Sequence, residues 1–335
     1  MSKLTFNNTT YSCPDNATVL DVLQGHGVAV PSSCRSGLCQ TCIMQAVKGT
    51  PPAAAQKGLK DTLKAQNYFL ACSCIPGEDL EVILPNSGFA RIKATVSHID
   101  TLCHDIVGVN LDCENPIEYK AGQFINLFRD SELARSYSLA SVPNQDKQLT
   151  LHVRKVPQGR MSSWIHHELS PGDVIEISLP AGDCFYIPGN PQQPILLIGT
   201  GSGLAPLYGI IRDALAQGHS GPVRLYHGSK FSHDLYLVNE LRELAQEFEN
   251  FSYIPCVSDE AVTDSSIRSG QVLDVALADY PKLKGWKIYL CGHPEMVKAA
   301  KKKTFLVGAS MKEIYADAFV SAAPAISKLA AVNPI

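Results

Sequence analysis

The chain has 335 residues, 45% of them hydrophobic and 18% charged, enough for roughly two or three domains whose cores need no disulfide staples. A net charge of −3 gives nucleic acid or an anionic membrane surface no electrostatic reason to bind. No run reaches the ~18 apolar residues of a membrane span, and the opening Met-Ser-Lys-Leu-Thr-Phe does not read as a signal peptide.

Residues 1–86 form the first unit. Lys3–Asn7 and Thr10–Cys13 flank an Asn7-Asn8 turn, the pattern of a β-hairpin. Thr18-Val-Leu-Asp-Val-Leu spaces its apolar residues for a short helix ending at Gly25. Then comes Cys34-Arg-Ser-Gly-Leu-Cys39-Gln-Thr-Cys42, with Cys72 after 29 intervening residues, and Asp79-Leu-Glu-Val-Ile-Leu as a closing strand. Spacings of four and two residues with a distant fourth cysteine match plant-type 2Fe–2S ligation, in which two sulfide-bridged irons need four thiolates. Gly37 lets the loop backbone approach the sulfides, and Ser33, Ser36 and Thr41 keep it small. Structural zinc is the competing reading, but it favours paired Cys-x2-Cys knuckles, and only Cys39 and Cys42 have that spacing.

The stretch resembles a plant-type ferredoxin domain, which implies a β-grasp fold with Cys34, Cys39, Cys42 and Cys72 as ligands. Cys74 departs from photosynthetic ferredoxins and is similar to the Leu-Ala-Cys-x-Cys ending of ferredoxin modules fused to reductases. Residues 1–90 carry six basic and six acidic side chains, so strong steering of a charged partner is not indicated. Cys13, Cys103, Cys113, Cys184 and Cys256 read as small apolar fillers in a reducing compartment, which makes the cytoplasm the expected location.

Pro85-Asn-Ser-Gly-Phe reads as a linker. Residues 91–188 follow with closely spaced alternating strands at Ile92–Val96, Ile106–Leu111, Phe124–Phe128, Leu149–Arg154 and Val174–Leu179, the signature of a β-barrel. One helix, Ser162–Leu169, interrupts them. Arg135-Ser-Tyr137-Ser138 follows a strand, and Gly159-Arg-Met161-Ser162 opens the helix with exposed N–H groups suited to an anion. His166 and His167 read as helix surface.

In this order the two motifs resemble the flavin domain of the ferredoxin–NADP reductase family. The resemblance implies Arg135 on a flavin phosphate, Tyr137 against the isoalloxazine and Ser138 near flavin N5. It also implies that Gly159, Met161 and Ser162 receive the pyrophosphate, which favours FAD over FMN. His152 and Arg154 are expected near the ribityl or adenosine part.

Residues 194–320 change period. Ile195–Ile198 is a continuous apolar run that enters Gly199-Thr200-Gly201-Ser-Gly203-Leu-Ala-Pro206 and then a helix, the context of dinucleotide binding. A standard Gly-x-Gly-x-x-Gly would need glycine at Leu204; the third glycine and the proline instead match the reductase family's loop. Val223–His227 ends at Gly228-Ser229-Lys230 without the acidic residue that would read an NADH ribose, and Ser229 and Lys230 can accommodate a 2′-phosphate. Cys291-Gly292-His-Pro294-Glu-Met296 resembles the nicotinamide-side motif, with Cys291 beside hydride transfer. Phe319, ending Lys312–Phe319, is similar to the aromatic that relatives place over the flavin, and Tyr315 reads as core. Residues 321–335 form an Ala-rich extension.

Taken together, the chain resembles an oxygenase-type NAD(P)H reductase with a fused ferredoxin. That implies a multidomain α+β and α/β protein: a β-grasp ferredoxin, an antiparallel β-barrel for FAD and an open parallel-sheet nucleotide domain. Its cofactors would be a 2Fe–2S cluster, FAD and NADH, with NADPH still open. Ser138, Cys291 and Phe319 would flank the hydride path, and a protein acceptor, an oxygenase component, would take the electrons. Other readings are the same electron chain serving a deoxysugar dehydratase, and an iron–sulfur carrier or sensor with an inactive reductase half.

Overall fold

The computed structural model describes residues 2–319 apart from 33–34, 36, 38–39, 41, 86–90, 131–132 and 262–263. Three sheets follow one another along the chain. The first contains β1 (Ser2–Phe6), β2 (Thr9–Cys13), β3 (Ile43–Lys48), β4 (Tyr68–Leu70) and β5 (Leu80–Ile83), with α1 (Val19–Gly25) and α2 (Asp61–Ala65) between strands. Its order is β2-β1-β5-β3-β4, and β5 runs parallel to β1, the mixed sheet of a β-grasp. Asn7 and Asn8 both take positive φ, which turns the hairpin as expected, and the Thr18 side chain caps α1 by accepting from Asp21 N–H. Sequence patterning missed β3, β4 and α2.

The second sheet joins β6 (Arg91–Cys103), β7 (Ile106–Cys113), β8 (Phe124–Phe128), β9 (Ala134–Ser138), β10 (Leu149–Arg154) and β11 (Val174–Ser178), with α3 (Arg160–His167) preceding the last. Its order is β10-β7-β6-β11-β8-β9, antiparallel throughout. A bridge between Leu139 and Leu151 joins the two ends into a barrel. Register shifts at Val96/His98 and Thr101/Cys103 interrupt the pairing of the long β6 with β7. Arg135, Tyr137 and Ser138 do not follow a strand, as expected, but form β9 itself. Pairing against β8 holds their backbone.

The third sheet holds β12 (Ile195–Thr200), α4 (Leu204–Ala216), β13 (Val223–Ser229), α5 (Val238–Glu247), β14 (Phe251–Val257), β15 (Arg268–Ser269), α6 (Val272–Asp279), β16 (Lys287–Gly292), α7 (Pro294–Leu306) and β17 (Ile314–Ala318). Every pair is parallel, in the order β15-β14-β13-β12-β16-β17. The order reverses direction at β12, so the crevice at the carboxyl ends of β12 and β16 is where such a sheet takes ligand. Helices cover both faces, and β12 is buried along Ile195–Gly199, as its apolar run predicts. Tyr315 is core, its ring 5.2 Å from that of Tyr289 and stacked on it. The expected linker at 85–89, beyond Pro85, and the extension at 321–335 lie outside the described residues.

Candidate functional site

The site runs along the seams between the three sheets. At the ferredoxin end, Cys42 ends the cysteine loop beside β3, and Cys72 sits in the short turn Ala71–Ser73 after β4. The two thiols lie close enough to interact, and burial with the neighbouring Cys72 raises the Cys42 thiol. Gly37, at φ +74°, passes so close to this turn that an added Cβ would stand 3.0 Å from Ser73 Oγ. Gly37, between the first two expected ligands in sequence, therefore lies against the segment that carries the fourth. Cys34 and Cys39, with Ser33, Ser36 and Thr41, lie outside the described residues. Cys74 points elsewhere: it has no exposed surface, belongs to the domain core, and burial pushes its thiol up to about 12. A thiol so placed is a packing group.

At the barrel end, β9 holds Arg135 exposed, Tyr137 half-buried and Ser138 buried. Burial raises the Tyr137 phenol, which stays neutral. Ser138 Oγ donates to Asp317 Oδ2 at 2.6 Å, a bond from the barrel to the last strand of the nucleotide sheet. In the β16–β17 register Asp317 lies opposite Cys291. Cys291 is fully buried, 3.9 Å from Cys184 Sγ, and burial holds its thiol well above the ordinary range, so it is no nucleophile. Gly203 approaches the Cys291 carbonyl so closely that a Cβ would sit 2.4 Å from its oxygen. Phe319, just past β17, donates its N–H to Gly292 O at 2.9 Å. Ser138, Cys291 and Phe319, expected together, are thus tied to one another through Asp317 and Gly292.

Sequence reasoning missed Asp317. Its signal was present in Tyr315-Ala-Asp317-Ala-Phe319, where strand alternation gives the acid the same side as the aromatic two residues on. Burial raises the Asp317 carboxyl, opposed by the Ser138 hydrogen bond.

Gly159 caps α3, and the first helical bond runs from Ser163 N–H to Gly159 O at 2.9 Å. The N–H groups of Arg160, Met161 and Ser162 precede it and face the helix entrance, the arrangement that suits a phosphate. The Ser162 hydroxyl is committed to this turn, accepting from Val156 N–H at 3.1 Å and donating to Gly159 O at 3.3 Å. Its contribution is to shape the turn.

His152 and Arg154 share one face of β10 but separate in role. His152 is buried, 3.2 Å from the Tyr236 hydroxyl of the nucleotide domain, and burial lowers it to about 3, so it is neutral. This packing placement argues against the expected contact with the ribityl or adenosine part. Arg154 bonds Asp105 through Nε at 2.6 Å, and its guanidinium lies over the Gly201 turn. That puts it at the nucleotide loop.

Within that loop, Gly199 and Thr200 end β12, and Gly201–Gly203 form a tight turn into α4. Thr200 Oγ1 accepts from His293 N–H at 3.0 Å, which joins the loop to the Cys291-Gly292 turn. Ser229 ends β13 and donates to Phe231 O at 2.7 Å, and Lys230 beside it is exposed. Met296 lies on α7, packed against the nucleotide-domain core. His166, expected on the helix surface, is half-buried, with Nε2 2.9 Å from Val153 O.

Comparison with known proteins agrees with this layout. Residues 4–77 match the 2Fe-2S iron-sulfur cluster binding domain, residues 93–186 the oxidoreductase FAD-binding domain and residues 197–302 the oxidoreductase NAD-binding domain. The naphthalene 1,2-dioxygenase system ferredoxin–NAD(P)+ reductase component of Pseudomonas putida is 33% identical over 319 residues, 93% of this chain and 96% of its own length. The chain belongs to the oxygenase-system reductases. Another of these reductases, the aromatic O-demethylase reductase subunit of an Amycolatopsis species, is 36% identical over 92% of this chain and 96% of its own length. The crystal structure of the Amycolatopsis cytochrome P450 reductase GcoB superposes with a TM-score of 0.67 at 34% identity, covering 95% of this chain and 99% of that one.

Proposed function

We propose that this oxygenase-system reductase draws electrons from NADH and delivers them one at a time, through its ferredoxin domain, to an oxygenase component. The observation that carries this reading is the seam at which Ser138, Asp317, Cys291 and Phe319 meet at the carboxyl ends of β16 and β17, between barrel and nucleotide sheet. Bound FAD supplies a hydride acceptor and the 2Fe–2S cluster a one-electron carrier, so the protein's own task is positioning.

The residues divide that task. Tyr137 offers a neutral, half-buried ring to a flavin face, Arg135 a cation to its phosphate, and the N–H groups at the start of α3 the second phosphate site. Gly203, held against the Cys291 backbone, lets a dinucleotide approach close to the sheet end. The buried Cys291 and Cys184 thiols keep water from the transfer path. Cys42 and Cys72 would hold the cluster together with Cys34 and Cys39. Residues 1–86, 91–188 and 194–320 are the corresponding domains.

Among the described residues no helix is long and apolar enough to cross a membrane, and every cysteine is a free thiol. Free thiols and a thiolate-bound cluster support a cytoplasmic setting. Stopped-flow reduction tests the proposal: the purified protein should carry flavin and cluster absorbance that bleaches on mixing with NADH. A preparation that binds no flavin, or that NADH and NADPH both leave oxidised, would sink it.

A further inference from the structure

We propose that His104, His233 and Asp234 form a binding site for one divalent transition-metal ion of the zinc class, set in the seam between the barrel and the nucleotide domain. His104 stands in the turn between β6 and β7. His233 and Asp234 come from the short helical turn Ser232–Asp234 after β13. The two segments meet across the domain boundary, and their ligand atoms converge.

Asp234 Oδ1 lies 3.6 Å from His104 Nε2 and 3.4 Å from His233 Nε2, and the three ligand atoms all fall within 4.8 Å of one another. Donors placed ~2.0–2.1 Å from a tetrahedral zinc stand about 3.3–3.4 Å apart, so the two Asp234 distances are already close to those of such a site, and the two imidazoles, within 4.8 Å of each other, complete it by turning toward the ion. Two imidazoles and one carboxylate suit zinc, nickel or ferrous iron, whereas calcium and magnesium ask for oxygen donors. Three protein ligands leave a fourth position for water.

The surroundings hold these ligands in place. Phe231 N–H donates to Asp234 Oδ2 at 3.1 Å, while the other oxygen, Oδ1, is the one nearest both imidazoles. The carboxylate is only 12% exposed. The Phe231 ring stacks on His233 with centroids 5.4 Å apart and an interplanar angle of 4°, which fixes that imidazole. Orienting partners of this kind are what metal sites use to set their ligands. Asp105 approaches His104 Nε2 at 4.0 Å but is already bonded to Arg154, so it stands outside the ligand set and links the site to the Gly201 turn. An ion here ties the barrel hairpin to the segment that carries Ser229 and Lys230. It acts as a clamp between two domains.

The test uses the full-length holoenzyme, freed of loose metal by brief chelation and dialysed against micromolar zinc, with zinc and iron counted by elemental analysis. The expected result is one zinc per chain, unchanged iron content, and a Tm that rises with zinc because the ion binds only the folded state. His104→Gln and His233→Gln should each weaken zinc binding by at least about tenfold and abolish the Tm rise. Reduction by NADH without zinc should stay as in the parent, since neither histidine belongs to the electron path. If the parent protein takes up no zinc, the cluster is a pair of His–Asp contacts and the proposal fails. It fails equally if both variants bind zinc as the parent does, because thiols elsewhere would then be the ligands.

Discussion

Lys60 of the ferredoxin domain reaches Asp183 of the barrel, Nζ to Oδ2 3.2 Å, while the same ammonium lies 5.0 Å from the Tyr315 ring centroid in the nucleotide domain. One side chain thus touches all three units. Gln66, just past the other end of α2, donates to Gly182 O at 3.1 Å, and Gln123 donates to Gln66 Oε1 at 3.1 Å.

Breaking this contact should separate the two halves of the electron path. Both partners are partly exposed, so the pair is worth only about 0–1 kcal/mol and its loss should leave the fold intact. Lys60→Met or Asp183→Asn should leave flavin reduction by NADH unchanged and slow cluster reduction by up to about fivefold, the kinetic equivalent of ~1 kcal/mol. Added salt should bring the parent toward the variants. Stopped-flow traces at a flavin and a cluster wavelength make the comparison, and equal slowing at both would contradict it.

The two cysteines of Cys72-Ser-Cys74 should behave in opposite ways. Cys72→Ser should lose the native cluster, seen as lost iron and a lost low-temperature EPR signal after reduction. Cys74→Ser should keep both, and should lower stability by about 1–3 kcal/mol, because a hydroxyl replaces a thiol in the domain core. Retention of the native cluster in Cys72→Ser would shift the ligand register by two residues.

Asp317 ties stability to pH. Burial raises its carboxyl above the ordinary value of 3.8, so the native state holds a proton that the unfolded chain has released. Native protein then binds more protons than unfolded protein, and this group's contribution falls as pH rises from 3.8 through the raised value. Asp317→Asn removes that loss. Thermal melts across the acid-to-neutral range should show the variant gaining on the parent as pH rises, and a constant difference would argue against the burial effect.

Lys230 is exposed beside the end of β13, a strand that ends in Gly228-Ser229 with no acidic residue of its own. Lys230→Ala should lower kcat/KM for NADPH by at least about tenfold, the value of one charge-assisted bond to phosphate, and change NADH little. Steady-state kinetics with both nucleotides decides it, and an unchanged preference removes Lys230 from selection.

The site was legible wherever chemistry forces a local pattern. Cysteine spacing, the glycine turn after Ile195–Ile198 and the Cys291-Gly292-x-Pro294 segment each announce themselves within about ten residues. Contacts made across domain seams were not legible. Nothing beside Asp317 in the chain points to Ser138, and His152 looked available for a ligand until Tyr236 proved to cover it. The strands β3 and β4 escaped because they flank a segment held by side-chain bonds such as Gln56 Nε2 to Tyr68 O, 2.9 Å, with no hydrophobic period to mark it. Local periodicity predicts elements; it carries no information on which of them will meet.

The bond between Ser138 and Asp317 joins residues 179 positions apart. The ferredoxin sheet is complete at Ile83 and the barrel at Ser178, long before β17 is made. During synthesis the chain can therefore assemble its iron site, and then its barrel, while the hydride seam still lacks one wall. A chain that ends before Ile314 should hold its cluster with no route for NADH to charge it.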